Sequence, residues 1–360
     1  MKILVLNCGS SSIKYKLFDF PSKTLIGGGA IERISEKKSH IKNHHQGIEL
    51  LISDILGKKM IASLKDISAI GHRVVHGGET FQKPRLIDNK VVKKIKECIP
   101  LAPLHNPVNL EGIMSCKKLF PTIPQVAVFD TAFHQSIPKN AYLYALPYAY
   151  YKKHKVRRYG FHGTSHQFVT QKTAELLKKP LSKIKLITCH LGNGCSITAI
   201  NKGKSVDTSM GFTPLEGLVM GTRSGDIDPA VLFYIMKKEN ISSEKMNEIL
   251  NKKSGLLGIS AISNDFRTIR NAMKKKNQRA RLAYELFIYR IEKYIGAYWL
   301  VLGNIDAICL TGGIGENSPD LVKRLKKTIS KFSGKDTKLL VVPTNEELMI
   351  AKLTHSLIAR

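Results

Sequence analysis

The sequence predicts an α/β protein made of two similar domains, and two observations support this. The first is an internal repeat, because residues 4–29 (LVLNCGSSSIKYKLFDFPSKTLIGGG) and residues 186–211 (LITCHLGNGCSITAINKGKSVDTSMG) have the same organisation. Each segment runs from an apolar strand through a turn of small residues into a second strand, and then through a polar turn into a third. The second is size, since 360 residues with 43% hydrophobic content can form two domains with cores of their own.

The turn in the first repeat, NCGSSS at 7–12, is a candidate phosphate-binding loop. The strand that follows, at 13–20, alternates roughly between polar and apolar residues, as a half-buried strand does. Gly9, the serines and Lys14 suit an anion, because backbone N–H groups and an ammonium group can converge on it. The segment lacks the G-x-x-x-x-G-K-[ST] pattern of a Walker A loop, and from its residues alone a polar hairpin turn explains it equally well.

A third glycine-rich segment, ICLTGGIGENS at 308–318, follows an apolar strand and precedes a helix predicted to begin near Pro319. Its glycines allow a ligand to approach the backbone closely, and Asn317 or Ser318 can cap the helix. Two hairpin tips that face each other beside such a turn predict a nucleotide-binding cleft between the two domains.

The net charge of +29, from 57 Lys and Arg against 28 Asp and Glu, could indicate nucleic-acid binding. However, the lysines are scattered in short runs without interleaved aromatic residues or a nucleic-acid motif, so we expect no nucleic-acid partner and only a field that attracts anionic substrates. No apolar stretch reaches the roughly 18 residues of a membrane span, the N-terminus lacks a signal-sequence pattern, and the cysteines show no CxxC pairing. These features predict a cytoplasmic protein with reduced thiols and no membrane partner.

Segments distributed along nearly the whole chain resemble the acetate kinase family, in the family's order. They are NCGSSSIKYKLFD (7–19), GHRVVHGGETF (71–81), LAPLHNP (101–107), VFDTAFHQSIP (128–138), YGFHGTSH (159–166), CHLGNGCS (189–196), TPLEGLVMGTRSGDIDP (213–229), DFR (265–267), TGGIGENS (311–318) and PTNEEL (343–348). Two stretches, 20–71 and 318–343, are shorter than is usual in the family, and Cys8 stands where the family usually has Ala. We therefore expect trimmed peripheral structure with the catalytic motifs retained.

The resemblance implies two ribonuclease H-like (actin-like ATPase) domains with a nucleotide cleft between them. The family shares this fold with sugar kinases, Hsp70 ATPase domains and actin. On this basis we expect an N-terminal domain at 1–147, with the C-terminal segment 348–360 packing back on it. We expect the second domain, at 148–347, to bind the nucleotide and to form a homodimer.

The activity that the resemblance implies is reversible, Mg²⁺-dependent phosphoryl transfer from ATP to acetate, by a direct in-line mechanism, giving acetyl phosphate and ADP. Mn²⁺ is expected to substitute for Mg²⁺. A propionate kinase of the same family is the nearest alternative, because one methylene in an apolar pocket is worth only about 1–3 kcal/mol. A butyrate kinase fits the GSSSIK and HLGNGCS segments less well. A non-catalytic nucleotide switch of the actin or Hsp70 type is disfavoured, because it has no use for the two arginines and the apolar pocket described next.

Phosphoryl transfer needs mainly positioning and charge neutralisation, and the chain supplies residues for both. Arg73, in a strand-like run, is predicted to pair a substrate carboxylate, and Arg223, between glycines, to stabilise the transferring phosphoryl group. From the residues alone, a salt bridge explains either arginine equally well. Asp130 ends the buried run VAVF, where a carboxylate serves a catalytic or metal site or caps the next segment. By resemblance Asp130 is the active-site acid, which helps to align Mg²⁺ and the nucleophilic carboxylate.

No spacing among the twelve histidines indicates zinc. By resemblance, His162 stabilises the transition state, since an imidazole can hydrogen-bond a phosphoryl oxygen without taking a proton. His72 and His166 are expected to be structural. Three further histidines are expected to be solvated loop residues: His40, His44 and His45.

The resemblance also implies the other site residues. Oxygen ligands for magnesium come from Asn7 and Glu346, and spacing alone does not distinguish Glu346 from Glu347. The small apolar pocket for the acyl methyl group is assigned to Val75, Leu104, Phe161 and Pro214. The predicted nucleotide contacts are Ser10, Ser12, Lys14, His190, Leu191, Gly192, Asn193, Gly194, Asp265, Phe266, Arg267, Gly313, Ile314, Gly315, Glu316 and Asn317.

Overall fold

The structure is a computed structural model that describes residues 1–36, 39–331 and 337–359. Its strands are β1 (Lys2–Cys8), β2 (Ser12–Asp19), β3 (Thr24–Glu32), β4 (Ile67–Val74), β5 (Arg85–Leu86), β6 (Gln125–Phe129), β7 (Lys185–Leu191), β8 (Cys195–Asn201), β9 (Lys204–Thr208), β10 (Ala307–Thr311) and β11 (Lys338–Val341). Its helices are α1 (His44–Gly57), α2 (Asn89–Glu97), α3 (Asn106–Leu119), α4 (Lys139–Tyr142), α5 (Tyr148–His154), α6 (Gly163–Leu176), α7 (Pro229–Glu239), α8 (Ser243–Glu248), α9 (Gly255–Ser260), α10 (Phe266–Lys274), α11 (Gln278–Leu302), α12 (Gly312–Asn317), α13 (Pro319–Ile329) and α14 (Glu346–Ile358).

The chain forms two compact units, each with one sheet. The first unit contains Met1–Gln135, Gly163–Ser165 and Asn345–Arg360, and the second contains Ser136–His162 and His166–Thr344. The first division therefore falls at Gln135, before the expected boundary at 147. The reason is local hydrogen bonding, because residues just after Gln135 bond to the second unit: Ser136 Oγ donates to Ser205 O at 2.8 Å, and Phe212 N donates to the Tyr144 hydroxyl at 2.8 Å.

The two sheets share the arrangement of five strands, and the first has an additional antiparallel edge strand, β5. The first has the strand order β3-β2-β1-β4-β6-β5, in which β1, β2 and β3 are antiparallel neighbours and β4 and β6 continue the sheet in parallel. The second has the order β11-β10-β7-β8-β9, with β7, β8 and β9 antiparallel and β10 and β11 parallel to β7. The repeat predicted from the sequence is confirmed, since each unit begins its sheet with the same antiparallel meander.

Strand β1 is an apolar run because both of its faces are buried. Leu4 and Leu6 pack in a core beneath α1 and α3, whereas Ile3 and Val5 pack with Ile350 of α14 on the other face. Burial of each such side chain contributes about 1.5–3 kcal/mol. Helix α14, which covers this second face of β1, therefore comes from the opposite end of the chain.

In the second unit the strand β8 is buried along nearly its whole length, and the long helix α11 packs against the sheet. The buried residues of α11 recur with helical spacing, among them Phe287, Ile291, Ile295 and Tyr298. The opposite face of α11 carries exposed apolar side chains, including Tyr289 and Leu300.

All six cysteines are unpaired and buried, as reduced thiols would be. Burial raises the pKa of the Cys8 thiol to about 12, with a smaller contribution from the charge of Glu111. Among the helices in the described part of the chain, none has the length and apolarity needed to cross a membrane.

Candidate active site

The first sheet brings predicted site residues to one edge. Strands β1, β4 and β6 are parallel, so their carboxyl ends lie together. Asn7 lies near the end of β1, Arg73 near the end of β4, and Asp130 directly after β6. Ligands of open α/β sheets bind at such an edge, which makes it the candidate site of the first unit.

Arg73 and Asp130 form an ion pair at that edge. Arg73 Nε lies 3.1 Å from both carboxylate oxygens of Asp130, and Thr164 Oγ1 donates to Asp130 Oδ1 at 3.4 Å. Burial lowers the pKa of Arg73, but the charges of Asp130 and Glu346 outweigh it, so that this pKa lies above its usual value. The salt-bridge alternative for Arg73 is thus present, and its contact with a substrate carboxylate stays a prediction.

The two glutamates at the start of α14 have different surroundings. Glu347 Oε2 lies 3.0 Å from Lys16 Nζ in an ion pair. Glu346 Oε2 is buried without a hydrogen-bond partner, at 3.9 Å from Arg73 Nη2. Burial raises the pKa of Glu346 above its usual value, and Arg73 offsets only part of that rise. Sequence spacing alone did not decide which glutamate would be the magnesium ligand. The contacts favour Glu346, because Glu347 is already paired with Lys16.

The oxygen donors at this edge fit a magnesium ion. Mg²⁺ is usually held by one or two carboxylates together with substrate phosphate oxygens. A buried carboxylate oxygen without a partner, as in Glu346, is a group that such an ion would satisfy. Across residues 1–36, 39–331 and 337–359, no three or more His, Cys, Asp and Glu side chains cluster to hold a metal, so the substrate would have to supply much of the coordination.

The tip of the β1–β2 hairpin lies beside these residues in the same unit. Lys14 stands opposite Asn7 in the strand register, and its charge acts on Glu346. Gly9 N donates to Ser12 O at 2.8 Å and closes the turn. Ser10 is exposed at the tip, so the predicted phosphate-binding residues Ser10, Ser12 and Lys14 do occur together.

In the second unit, His162 and His190 come together at the start of α6 and the end of β7. His162 adopts the left-handed conformation at φ 56°, and its Nδ1 lies 2.9 Å from Ser196 Oγ. The two imidazole rings are 4.3 Å apart between centroids. The turn after His190 is closed by Gly192 N, which donates to Gly194 O at 3.1 Å.

Arg223 lies beside the same turn. A β-carbon at Gly194 would be 3.3 Å from His162 Nε2 and 3.5 Å from Arg223 Nη1, so glycine leaves room for both side chains. Arg223 Nη1 donates to Pro214 O at 3.2 Å. Burial lowers the pKa of Arg223, and no carboxylate pairs with it among the residues that the structure describes. The salt-bridge alternative for Arg223 is therefore not supported.

Asn193, at the tip of that turn, is bonded to neighbouring loops. Gly221 N donates to Asn193 O at 3.0 Å, and Asn264 Nδ2 donates to its Oδ1 at 3.1 Å. The first bond ties the tip to the loop that carries Arg223. The predicted residues His162, His190, Asn193, Gly194 and Arg223 are thus brought together.

The glycine-rich segment differs from its predicted structure. The helix α12 begins at Gly312 itself, where φ is 76° and a β-carbon would lie 2.7 Å from Leu191 O. No side chain caps α13, because Asn317 Nδ2 donates to Gly313 O at 2.9 Å instead. The predicted helix start near Pro319 is confirmed by α13, whereas the side-chain cap is wrong. Helix α12 was not expected, because short glycine-rich segments carry no periodicity that announces a helix.

The carboxylate of Glu316 accepts hydrogen bonds from backbone N–H groups in and near this segment. Its Oε1 accepts hydrogen bonds from Gly312 N at 2.8 Å and from Thr344 N at 3.1 Å. A β-carbon on Gly313 would meet nothing within 4 Å, whereas Gly315 is buried. The space beside Gly313 is where a ligand could approach the helix, with Ile314 half-buried next to it.

Two predicted nucleotide contacts have buried side chains. Phe266 is 3% exposed and packs against Phe287, with ring centroids 5.0 Å apart, and Leu191 is completely buried. These two side chains pack inside the second unit, and the nucleotide contacts of Phe266 and Leu191 stay predictions. Asp265 caps α10 by accepting from Arg267 N at 3.1 Å, and the side chain of Arg267 is exposed.

The predicted acyl-pocket residues are divided between the units. Val75 and Leu104 belong to the first unit, and Phe161 and Pro214 to the second. Phe161 is buried, whereas Leu104 is 61% exposed. Their meeting in one pocket stays a prediction.

The expectation for His44 was wrong. His40 is exposed and His45 half-exposed, but His44 begins α1 and is 2% exposed. The preceding loop gave no periodic pattern from which burial could be read. The structural expectation for His72 agrees with its contact, since its Nε2 lies 2.9 Å from Gln125 Oε1. His166 likewise is buried, 2.7 Å from Ser196 Oγ.

The chain is similar to known acetate kinases in both sequence and structure. The family model described as the Acetokinase family matches residues 2–333. A curated acetate kinase of Halothermothrix orenii is 50% identical, with 99% of this chain and 100% of that protein covered. Among solved structures, Porphyromonas gingivalis acetate kinase is similar with TM-score 0.93, 43% identity and full coverage of both chains. A propionate kinase from Francisella tularensis subsp. tularensis is similar with TM-score 0.92, 42% identity and 99% coverage of both. These likenesses confirm the predicted fold of two ribonuclease H-like, actin-like domains.

Proposed function

The chain belongs to the acetokinase family, and from this membership we infer that it is an acetate kinase. The enzyme transfers the γ-phosphoryl group of ATP to acetate and runs the reverse reaction from acetyl phosphate and ADP. The bond from phosphorus to the bridging oxygen of ADP breaks as an acetate oxygen forms its bond to phosphorus. The observation that carries the inference is 50% identity to an acetate kinase over essentially the full length of both chains.

In the first unit, Asn7 and Glu346 are proposed to hold Mg²⁺, which when bound neutralises phosphate charge. Asp130 is proposed to align the acetate oxygen that attacks. Arg73 orients Asp130 through their ion pair, and we propose that it also attracts the acetate carboxylate to this edge. Lys14 and the serines at the hairpin tip are proposed to contact phosphate oxygens.

In the second unit, His162 and Arg223 are proposed to stabilise the transferring phosphoryl group. The contact of His162 Nδ1 with Ser196 Oγ fixes the orientation of the ring. Arg223 lacks a carboxylate partner in the described parts of the chain, so its charge is not already neutralised by the protein. A desolvated cation of this kind acts more strongly on developing negative charge than one in water.

The experiment that tests this function measures hydroxamate formation with acetate, propionate and butyrate, each with ATP and Mg²⁺. An acetate kinase gives the highest kcat/KM with acetate. A propionate kinase is the second candidate, supported by the Francisella structure at TM-score 0.92. It would give the highest value with propionate, and because one methylene contributes about 1–3 kcal/mol, activity with both acids is expected in either case.

We further propose a homodimer formed through the second unit. Helix α7 has no buried residue, although Val231, Phe233 and Tyr234 are apolar. An exposed apolar helix of this kind is typical of an interface, and an identical subunit is the partner that the fold offers in a closed, two-fold arrangement. Light scattering during size-exclusion chromatography measures the mass. A cytoplasmic location is proposed from the unpaired cysteines.

A further inference from the structure

The carbonyl groups at the tip of the β1–β2 hairpin point into the protein. Ser12 O accepts from Gly9 N at 2.8 Å, and Ser11 O accepts from Ile34 N at 3.0 Å. The two carbonyls before them, of Cys8 and Gly9, are bonded by side chains from outside the hairpin. These two bonds are not part of the strand ladder, so the sheet alone does not explain them.

His44 holds the carbonyl of Gly9. Its Nε2 lies 2.8 Å from Gly9 O, and the side chain is 2% exposed. Glu111 of α3 fixes the histidine from the other side, because its Oε1 accepts from His44 N at 3.1 Å and its Oε2 lies 3.3 Å from His44 Nδ1. The ring therefore lies between this carboxylate and the hairpin tip, and its Nδ1 makes no hydrogen bond within the described residues.

Asn109, also on α3, holds the carbonyl of Cys8. Its Nδ2 donates to Cys8 O at 2.9 Å, and its Oδ1 accepts from Val75 N at 3.0 Å. The side chain is 4% exposed. One buried amide thus joins the hairpin tip to the segment that follows Arg73.

These contacts matter for phosphate binding. A backbone turn binds an anion only when its N–H groups face the ligand and its carbonyl groups face away, since carbonyl oxygens repel phosphate. Neither Ser10 nor Ser11 donates its N–H to another backbone group within the parts of the chain that the structure describes. The tip therefore has two N–H groups without a backbone partner among the described residues, while side chains from α1 and α3 bind the carbonyls of Cys8 and Gly9.

We propose that His44 and Asn109 are positioning residues for nucleotide binding, which act by turning the carbonyls of Cys8 and Gly9 away from the nucleotide phosphates. The proposal rests on the proposed function in that it takes the hairpin tip as a phosphate site. Neither residue touches the nucleotide. Their effect passes through the conformation of residues 8–12.

The test compares His44→Phe, which keeps a ring but removes the donor, with His44→Gln, whose amide can donate to Gly9 O. The affinity for MgADP is measured by isothermal titration calorimetry. Loss of one hydrogen bond predicts about a tenfold weaker affinity for His44→Phe, and His44→Gln is expected to recover part of that loss. The KM for acetate should stay within about twofold of the wild-type value, which a general loss of structure would not leave unchanged.

Two further variants serve as controls. His45→Phe changes the adjacent, half-exposed histidine, which lies beside Glu49 on the surface of α1, and should bind MgADP as the wild type does. Glu111→Gln keeps an acceptor for His44 N and can donate to His44 Nδ1, so it should also stay close to the wild type. Circular dichroism establishes that each variant is folded, and His44→Ala replaces His44→Phe if the phenylalanine does not fold.

A folded donor-less variant that binds MgADP as tightly as the wild type would overturn the proposal. So would equal losses in His44→Phe and His44→Gln, because the donor would then be irrelevant. The proposed function fails separately: a wild-type protein that binds MgADP but forms no acyl hydroxamate would refute acetate kinase activity while the comparison of MgADP affinities still decides the roles of His44.

Discussion

Arg73 and Asp130 hold each other at the ends of neighbouring parallel strands, with Arg73 Nη2 at 2.7 Å from Asp130 Oδ2. Asp130 is 1% exposed, so its side chain is removed from water and lies against this guanidinium. An ion pair of this kind is costly to break from one side, because the remaining charge is left without compensation. Substitutions at either residue therefore affect stability as well as turnover.

Replacing Arg73 by alanine should raise the KM for acetate about tenfold or more and leave the KM for ATP little altered. The variant should also lose about 2–3 kcal/mol of unfolding free energy, less than for a fully buried pair because the Arg73 side chain is 21% exposed. Removing the orphaned charge in Arg73→Ala/Asp130→Ala should restore part of that stability. Steady-state kinetics and urea unfolding measure both effects. A rise in the KM for ATP equal to that for acetate would contradict the acetate-binding role.

Replacing Arg223 by alanine should lower kcat on the order of 10²–10³-fold, as expected for loss of a charge that acts on the transition state. Stability should change much less than for Arg73→Ala, because no carboxylate is left unpaired. Arg223→Lys should recover only part of kcat, since an ammonium group lacks the planar, two-donor geometry. If Arg223→Ala kept kcat and Arg73→Ala lost it, the two roles would be reversed.

Activity should require Mg²⁺ or Mn²⁺ and disappear with EDTA. Glu346→Gln should raise the Mg²⁺ concentration for half-maximal activity about tenfold, because an amide oxygen is a weaker ligand than a carboxylate. Glu347→Gln is the matched control, since Glu347 is paired with Lys16 and should leave the metal requirement unchanged. A metal titration of each enzyme measures this. Full turnover by metal-stripped enzyme would refute the metal site.

Substrate size should depend on Val75. Val75→Ala should improve propionate and butyrate relative to acetate by about 1 kcal/mol per added methylene, the value of burying a CH₂ group. Leu104→Ala should change the preference little, because Leu104 is 61% exposed. The ratios of kcat/KM for the three acids provide the measurement. An unchanged ratio in Val75→Ala would place the pocket elsewhere.

Acid should destabilise the first unit through His72. Burial lowers the pKa of His72 from 6.5 to about 4. Between these two pH values the imidazole is protonated in the unfolded chain and neutral in the folded chain. Stability is therefore lost as the pH falls below about 6.5, and the loss continues down to about pH 4. His72→Gln, which can still donate to Gln125, should reduce the loss between about pH 7 and pH 4.5 by about 2 kcal/mol. Urea unfolding at both values measures it, with the half-exposed His45→Gln as control, and equal losses in all three proteins would contradict this role.

The parts of the fold with strong local patterns could be predicted from the sequence. The meanders β1–β3 and β7–β9 follow from alternating strands and small-residue turns, and Asp130 was placed correctly at the end of a buried run. Both depend on residues close together in the chain. The position of a strand end also determines where a carboxylate lies, which is why the edge of the first sheet could be anticipated.

The remaining errors concern contacts between distant segments. Nothing near His44 in the sequence indicates that it bonds to Gly9. Glu346 differs from Glu347 because it is buried near Arg73, whereas Glu347 pairs with Lys16. The burial of Phe266 depends on where α11 packs. Such choices are set by tertiary packing, which a local pattern does not contain.

Helix α14 has a consequence for the order in which the protein can be completed during translation. Its residues Ile350 and Ala351 cover Ile3 and Val5, so the apolar face of β1 stays open until more than 340 residues have been synthesised. The second unit also extends to Thr344, so its last strand and α14 are synthesised one directly after the other. The same helix delivers Glu346, so a nascent chain lacks both this core and a proposed magnesium ligand, and it should hydrolyse no nucleotide before synthesis is nearly finished.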